Sequence, residues 1–177
     1  MDEAPVSTAR RWRWVVAAVV GGLALTACEA PRPEVTFYGN RTAVETAPTR
    51  WCQVDTAAQS VDCTEADPQD VQRLTVGPGK PVQINVPKAI GEVPWGVYFR
   101  YLGKDGSLAD GRSEIFTDGR LAYTLTTFDP ADQLVYVEVQ SGFIVMGGAQ
   151  SGVDFAATKS WLLLIDPPAG APATASP

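Results

Sequence analysis

Short alternating runs of apolar and polar residues fill the chain from Val35 to Ile165, and turn clusters separate them. No stretch of this region keeps a helical period, so the pattern predicts strands throughout. Glu34 to Tyr38 reads as the first, with Val35 and Phe37 on one face. Gly39-Asn40 is a turn, and Arg41 to Glu45 pairs back as a second strand. Arg50 to Val54 carries Trp51 and Cys52 into a polar loop that runs to Cys63. Leu74 and Val76 lead into the turn cluster Gly77-Pro78-Gly79-Lys80-Pro81. Val82, Ile84 and Val86 then alternate with Gln83 and Asn85 until Pro87 stops the run. From Trp95 to Leu102, the side chains of Trp95, Val97, Phe99 and Tyr101 share a face opposite Tyr98 and Arg100.

The alternation continues in the second half. Asp110-Gly111 and Asp118-Gly119 bracket Arg112 to Thr117, and both pairs read as tight hairpin turns. Leu121, Tyr123 and Leu125 mark another strand, and Phe128 to Asp132 turns the chain. Val135, Val137 and Val139 form one face of the next, with Tyr136 and Glu138 pointing the other way. Gly142 to Met146 is a short strand ended by Gly147-Gly148, and Asp154 to Lys159 has no clear pattern. Ser160 to Ile165 is apolar on both faces, which predicts a central or covered strand. Many short strands of this kind indicate an all-β sandwich or barrel.

The two ends do not follow this pattern. Arg10, Arg11 and Arg13 precede a twelve-residue apolar core, Trp14 to Leu25, too short to span a bilayer comfortably. It ends in Leu25-Thr26-Ala27-Cys28, a lipobox, the processing site of bacterial lipoproteins. Residues 1–27 are therefore expected to be a helical signal peptide. Cys28 is expected to carry the lipid that anchors an extracytoplasmic domain to the cell membrane. The residues after Arg10-Arg11 match a twin-arginine signal poorly, so the expected route is Sec export. Residues 28–34, with Pro31 and Pro33, read as an extended tether. Residues 168–177 are a small-residue tail, too poor in bulky apolar groups to order itself.

Composition narrows the chemistry. The chain has 177 residues, a net charge of −6 and no histidine. Removing a leader with three arginines against two acids leaves 150 residues at −7. An acidic domain repels phosphate backbones, so nucleic acid is not an expected partner. Without histidine, the usual neutral-pH base, the commonest zinc ligand and the Ser-His-Asp and Cys-His mechanisms are missing. With Cys28 acylated, Cys52 and Cys63 form an even pair in a disulfide-permissive compartment. A metal is the rival reading of that pair, but two thiolates without a further soft ligand make a poor zinc site. Asp62, Glu65, Asp67 and Asp70 lack the order of a calcium loop and read as a solvated acidic edge. No cofactor or metal is expected.

Residues 71–166 resemble an immunoglobulin-like sandwich. Leu74 to Val82 matches its first-to-second-strand passage, and Trp95 falls where that fold buries a tryptophan on its third strand. Ile84 and Glu138 would occupy the positions of the usual inter-sheet disulfide, so that bond is absent. Asp132 and Tyr136 have the spacing of the fold's tyrosine corner, although the valine alternation turns Tyr136 outward. The expected organisation is a disulfide-stapled β extension over 35–70, followed by the sandwich over 71–167. The whole chain also resembles an actinobacterial family of exported lipoproteins of unknown function. The matching pieces are the lipobox, Pro33-Glu34-Val35-Thr36-Phe37-Tyr38, Arg50-Trp51-Cys52, Val86-Pro87-Lys88-Ala89-Ile90, Pro94-Trp95 to Tyr101, and Arg112-Ser113-Glu114-Ile115-Phe116. That resemblance implies no activity.

Two function classes remain. The first is a non-enzymatic binding or protein-interaction module that meets an envelope protein or glycan through Tyr98, Tyr136 and Trp161, aromatics expected on the outer face of strands. A second layer, such as the N-terminal extension, would cover these rings instead, because Val35, Phe37 and Trp51 need a surface to pack on. The second class is a histidine-free hydrolase or transferase acting on envelope polymers. It would use a carboxylate pair, Asp129 with Asp132 or Glu114 with Glu138; Ser160 beside Lys159 has no motif around it. The first reading, not an enzyme, is the one expected.

Overall fold

The computed structural model describes residues 31–148 and 152–170; the predicted leader, Cys28 and residues 171–177 of the tail lie outside the described residues. The folded unit begins at Arg32. Its strands are β1 (Val35–Gly39), β2 (Thr42–Thr46), β3 (Arg50–Asp55), β4 (Ser60–Glu65), β5 (Gln72–Thr75) and β6 (Val82–Asn85). They continue as β7 (Trp95–Leu102), β8 (Leu108–Arg112), β9 (Ala122–Leu125), β10 (Gln133–Gly148) and β11 (Gly152–Asp166). A one-turn helix, α1 (Lys88–Gly91), and a 3₁₀ turn over Pro68–Asp70 interrupt them. Among the described residues no helix is long and apolar enough to cross a membrane.

Two sheets face each other. The smaller has the order β2-β1-β6-β9, and the larger runs β4-β3-β11-β10-β7-β8. One edge of β11 serves two neighbours: β3 pairs antiparallel at Trp51 and Lys159, and β5 pairs parallel at Leu74 and Ile165. The predicted all-β sandwich is thus present, with β1, β6 and β9 set against β7, β10 and β11 as in an immunoglobulin-like fold.

The core follows from the alternation. Val35, Phe37, Ile84 and Leu125 of the small sheet meet Val97, Val137, Val139 and Leu163 of the large one, all essentially inaccessible. Removing one such side chain from water is worth about 1.5–3 kcal/mol. Trp95 is buried at the start of β7, edge-on to Phe116, and its indole N–H donates to the Arg120 carbonyl at 3.1 Å.

Several expectations change in detail. Residues 35–70 form no layer of their own: β1 and β2 complete the small sheet, while β3 and β4 extend the large one. The apolar faces of Val35 and Phe37 find their partners within the sandwich, so this segment does not cover the outer strands. The β1–β2 turn centres on Asn40 and Arg41, both with positive φ, one residue later than the sequence suggests. β4 was hidden by its polarity, because every one of its residues is exposed. It is held by pairing with β3, where Cys52 and Cys63 face each other and form the expected disulfide. Asp110-Gly111 is not a turn but part of β8. Gly111 lies opposite Phe99, and a Cβ there would sit 2.2 Å from the Phe99 ring, so this glycine makes room for an aromatic.

The short strands predicted near residues 142 and 160 are parts of one long ribbon, β10 paired with β11 from Tyr136–Leu164 out to Gly148–Gly152. Trp161 is the main reversal. It points into the core and is fully buried, edge-on to Trp51, with its indole N–H donating to the Pro33 carbonyl at 2.8 Å. A strand apolar on both faces gives the alternation nothing to choose between, and Leu162 and Leu164 take the outward positions.

Two measurements test this frame. Replacing Cys52 and Cys63 together by Ala opens a short loop in an edge hairpin, and should cost no more than about 2–3 kcal/mol in denaturant unfolding while the far-ultraviolet β signature persists. Gly79 has φ +62°, and a Cβ there would meet the Pro130 carbonyl oxygen at 2.3 Å. Its N–H also donates to the Asp132 carbonyl at 2.9 Å. Because backbone cannot swing aside, Gly79→Ala should destabilise by about 1–3 kcal/mol, read as a lowered thermal midpoint.

Candidate functional site

The residues expected to bind divide between the two faces of the large sheet. On β7, Val97 and Phe99 point inward, leaving Tyr98 and Arg100 on the outer face. On β10, Val137 and Val139 point inward, leaving Tyr136 and Glu138 outside. Register places Tyr136 opposite Arg100 and Glu138 opposite Tyr98. Tyr98 and Tyr136 thus meet diagonally, with ring centroids 5.8 Å apart. Trp161 takes no part, being on the core side of β11.

Cations cover both rings. Arg112, opposite Tyr98 on β8, lies 4.9 Å from its centroid, and Arg100 lies 5.4 Å from the Tyr136 ring. Arg100 also donates Nε–H to Asp110 Oδ1 at 2.7 Å. That bond comes first in holding the Asp110 carboxyl below its ordinary range, with a further hydrogen bond from Tyr98. Each guanidinium–ring contact at such a partly exposed site is worth about 0.5–1 kcal/mol. The result is a row across three strands, Arg112-Tyr98-Tyr136-Arg100-Asp110, in which each group restrains its neighbour. Sequence reasoning found the tyrosines and the outward Arg100. It missed Arg112 and Asp110 as members, because the supposed turn at Asp110-Gly111 removed both from the β7 register.

The tyrosine-corner spacing is not realised. Tyr136 faces outward, and Asp132 instead accepts the Asp129 N–H on Oδ2 at 3.0 Å, closing the turn before β10. Glu138 likewise faces outward, and Val137 supplies the core residue at this level.

The alternative catalytic sets do not converge. Asp129 accepts the Ala131 N–H and pairs with Lys104, which makes it a turn residue with Asp132. Glu114 pairs with Arg120 beyond the end of β8, and Glu138 accepts from Gln140 Nε2 at 2.9 Å. Lys159 and Ser160 project to opposite faces: the ammonium lies 4.4 Å from the Trp51 ring centroid, and the hydroxyl is 3.2 Å from Thr49 Oγ1. Of the acidic edge, Glu65 pairs with Arg50 and Asp67 caps the 3₁₀ turn through the Gln69 N–H. Among the described residues no cluster of three or more acidic or cysteine side chains could hold a metal ion.

The Tyr136 phenol is pushed well above its ordinary value of 10.0, first by burial and then by a hydrogen bond with Tyr98. The folded chain therefore holds this proton more tightly than the unfolded chain. Folding stability is intact below the ordinary phenol value and falls as pH rises through and above it. Urea midpoints measured from about pH 9 to 11 should fall more steeply for the native protein than for Tyr136→Phe. Parallel slopes would remove Tyr136 as the source.

The geometry is therefore a flat, cation-covered aromatic face rather than an enclosed pocket. No curated protein and no solved structure matches the chain. One family model does, over residues 28–166, and its description is a protein of unknown function, DUF2771. Because that match covers most of the sequence, the chain belongs to the DUF2771 family.

Proposed function

We propose that this protein is a lipid-anchored, extracytoplasmic, non-enzymatic interaction module. Its contact surface is the outer face of the large sheet around Tyr98 and Tyr136. The observation that carries the reading is the Arg112-Tyr98-Tyr136-Arg100 row: two half-buried tyrosines with an arginine over each, on one face of the sheet. Tyrosine and arginine are the residue types that concentrate binding energy at protein contacts. A flat face suits a folded envelope protein better than a sugar chain held in a groove. The anchoring part is supported by the lipobox and by the family match, which opens at Cys28. The Cys52–Cys63 disulfide agrees with a compartment outside the cytoplasm.

Two experiments test the two parts. Metabolic labelling with a fatty-acid analogue should mark the native protein, and Cys28→Ala should abolish the label and leave an unprocessed chain of precursor mass. Equal labelling of both would reject acylation at Cys28. A photocrosslinking amino acid in place of Tyr98 should capture a defined envelope protein in cells, and Arg100→Glu with Arg112→Glu should reduce that capture at least about tenfold. Equal capture from a probe at Thr124, on the small sheet, would reject the face as the contact surface.

A further inference from the structure

The chain enters the sandwich at one pole, where the Pro33 carbonyl accepts the Trp161 indole N–H. At the same end lie Val35 of β1, Asn85 of β6, Ala122 of β9 and Trp95 of β7. The β10–β11 ribbon runs on past it: β10 last pairs with β7 at Ser141, yet continues with β11 to Gly148 and Gly152. The β3–β4 hairpin projects beside it, beyond the Trp51–Lys159 pair.

The distribution of exposed apolar side chains is lopsided. Ten large ones are exposed among the described residues, and seven lie at this pole. Val54 and Val61 face one another on the β3–β4 hairpin, and Val145 and Phe155 face one another on the ribbon, 64% and 56% exposed. Val93, Ile115 and Leu121 lie in the connections that close the same end. Only Tyr38, Leu108 and Phe128 sit at the opposite pole. The basic side chains here are engaged, Arg50 with Glu65, Lys88 with Glu92, Arg120 with Glu114 and Asp118, and Arg32 and Lys159 over the Trp51 ring, while Asp55 and Asp62 flank the two valines of the β3–β4 hairpin.

We infer that this pole is a second, non-covalent contact with the lipid bilayer, an inference that rests on the reading of Cys28 as the lipidated residue. Five residue steps separate Cys28 from Pro33, a reach of at most about 17 Å, so an acylated Cys28 holds this end of the sandwich against the membrane. Val145, Phe155, Val54 and Val61 enter the boundary between headgroups and acyl chains, where exposed apolar area is stabilised. With its basic side chains held by acids or by the Trp51 ring, the contact draws on apolar area and needs no anionic lipid. The strands run from this pole to the other, so the Tyr98–Tyr136 face stands out from the membrane and stays open to the side.

The test uses the full processed chain in phosphatidylcholine vesicles that carry a diazirine on the acyl chain. After illumination, adducts are mapped by mass spectrometry, and the same digest gives the mass of the N-terminal peptide. Adducts are expected on the peptides bearing Val54, Val61, Val145 and Phe155. Val145→Glu with Phe155→Glu should lower the ribbon's adduct yield at least about fivefold, while Leu108→Glu with Phe128→Glu leaves it unchanged. An unmodified N-terminal peptide would overturn both the anchoring reading and this one. An acylated peptide with adducts confined to residues before Val35, or spread equally to the Leu108 and Phe128 peptides, would overturn this inference alone. So would crosslinks showing that a second copy covers the pole.

Discussion

The antiparallel pairing of β10 with β11 is the constraint on which the rest of the sandwich is built. Its register runs from Tyr136–Leu164 to Gly148–Gly152 without a slip. Because side chains alternate, that one register sends Val137, Val139, Trp161 and Leu163 inward together, and Tyr136, Glu138, Leu162 and Leu164 outward together. β7 and β8 add to its β10 edge, and β3 and β5 share its β11 edge. A slip of one residue would exchange the core floor for the outer row of tyrosines, so the stability of the sandwich and the composition of its exposed face are set by the same pairing.

That coupling explains what could be read from the chain. Where one face is apolar and the other polar, as in Val82-Gln83-Ile84-Asn85, the alternation located the strand and its orientation. Where both faces are apolar, as in Trp161 to Ile165, it located the strand as central but could not orient Trp161. Where both are polar, as in Ser60 to Glu65, the strand could not be seen, since what orders it is a neighbour and a disulfide rather than a buried face. Asp110-Gly111 misled for another reason. The dipeptide has the composition of a turn, yet its glycine answers the bulk of Phe99 across the sheet. Three of the five members of the outer row were therefore legible from β7 and β10 alone, and the other two needed the β7–β8 register.

The outer row is also a case of surface charge shaping an aromatic site. Arg100 and Arg112 neither cap a helix nor bury a charge; they lie over rings that would otherwise be open apolar patches. Asp110 fixes Arg100 in place. The guanidinium and phenol groups of this face are thus already ordered by one another, and little of their side-chain freedom is left.

The Trp161–Pro33 hydrogen bond gives the domain a mechanical character. Any pull transmitted through the residues ahead of Pro33 reaches β1 along its own axis, where it is bonded on one side to β2 and on the other to β6. Loaded in that direction, the ladder bonds are sheared as a group instead of being unzipped one at a time. The indole at the centre of the opposite sheet must also let go before the strand can slide. The end at which the chain enters the sandwich is thereby tied to both sheets at once.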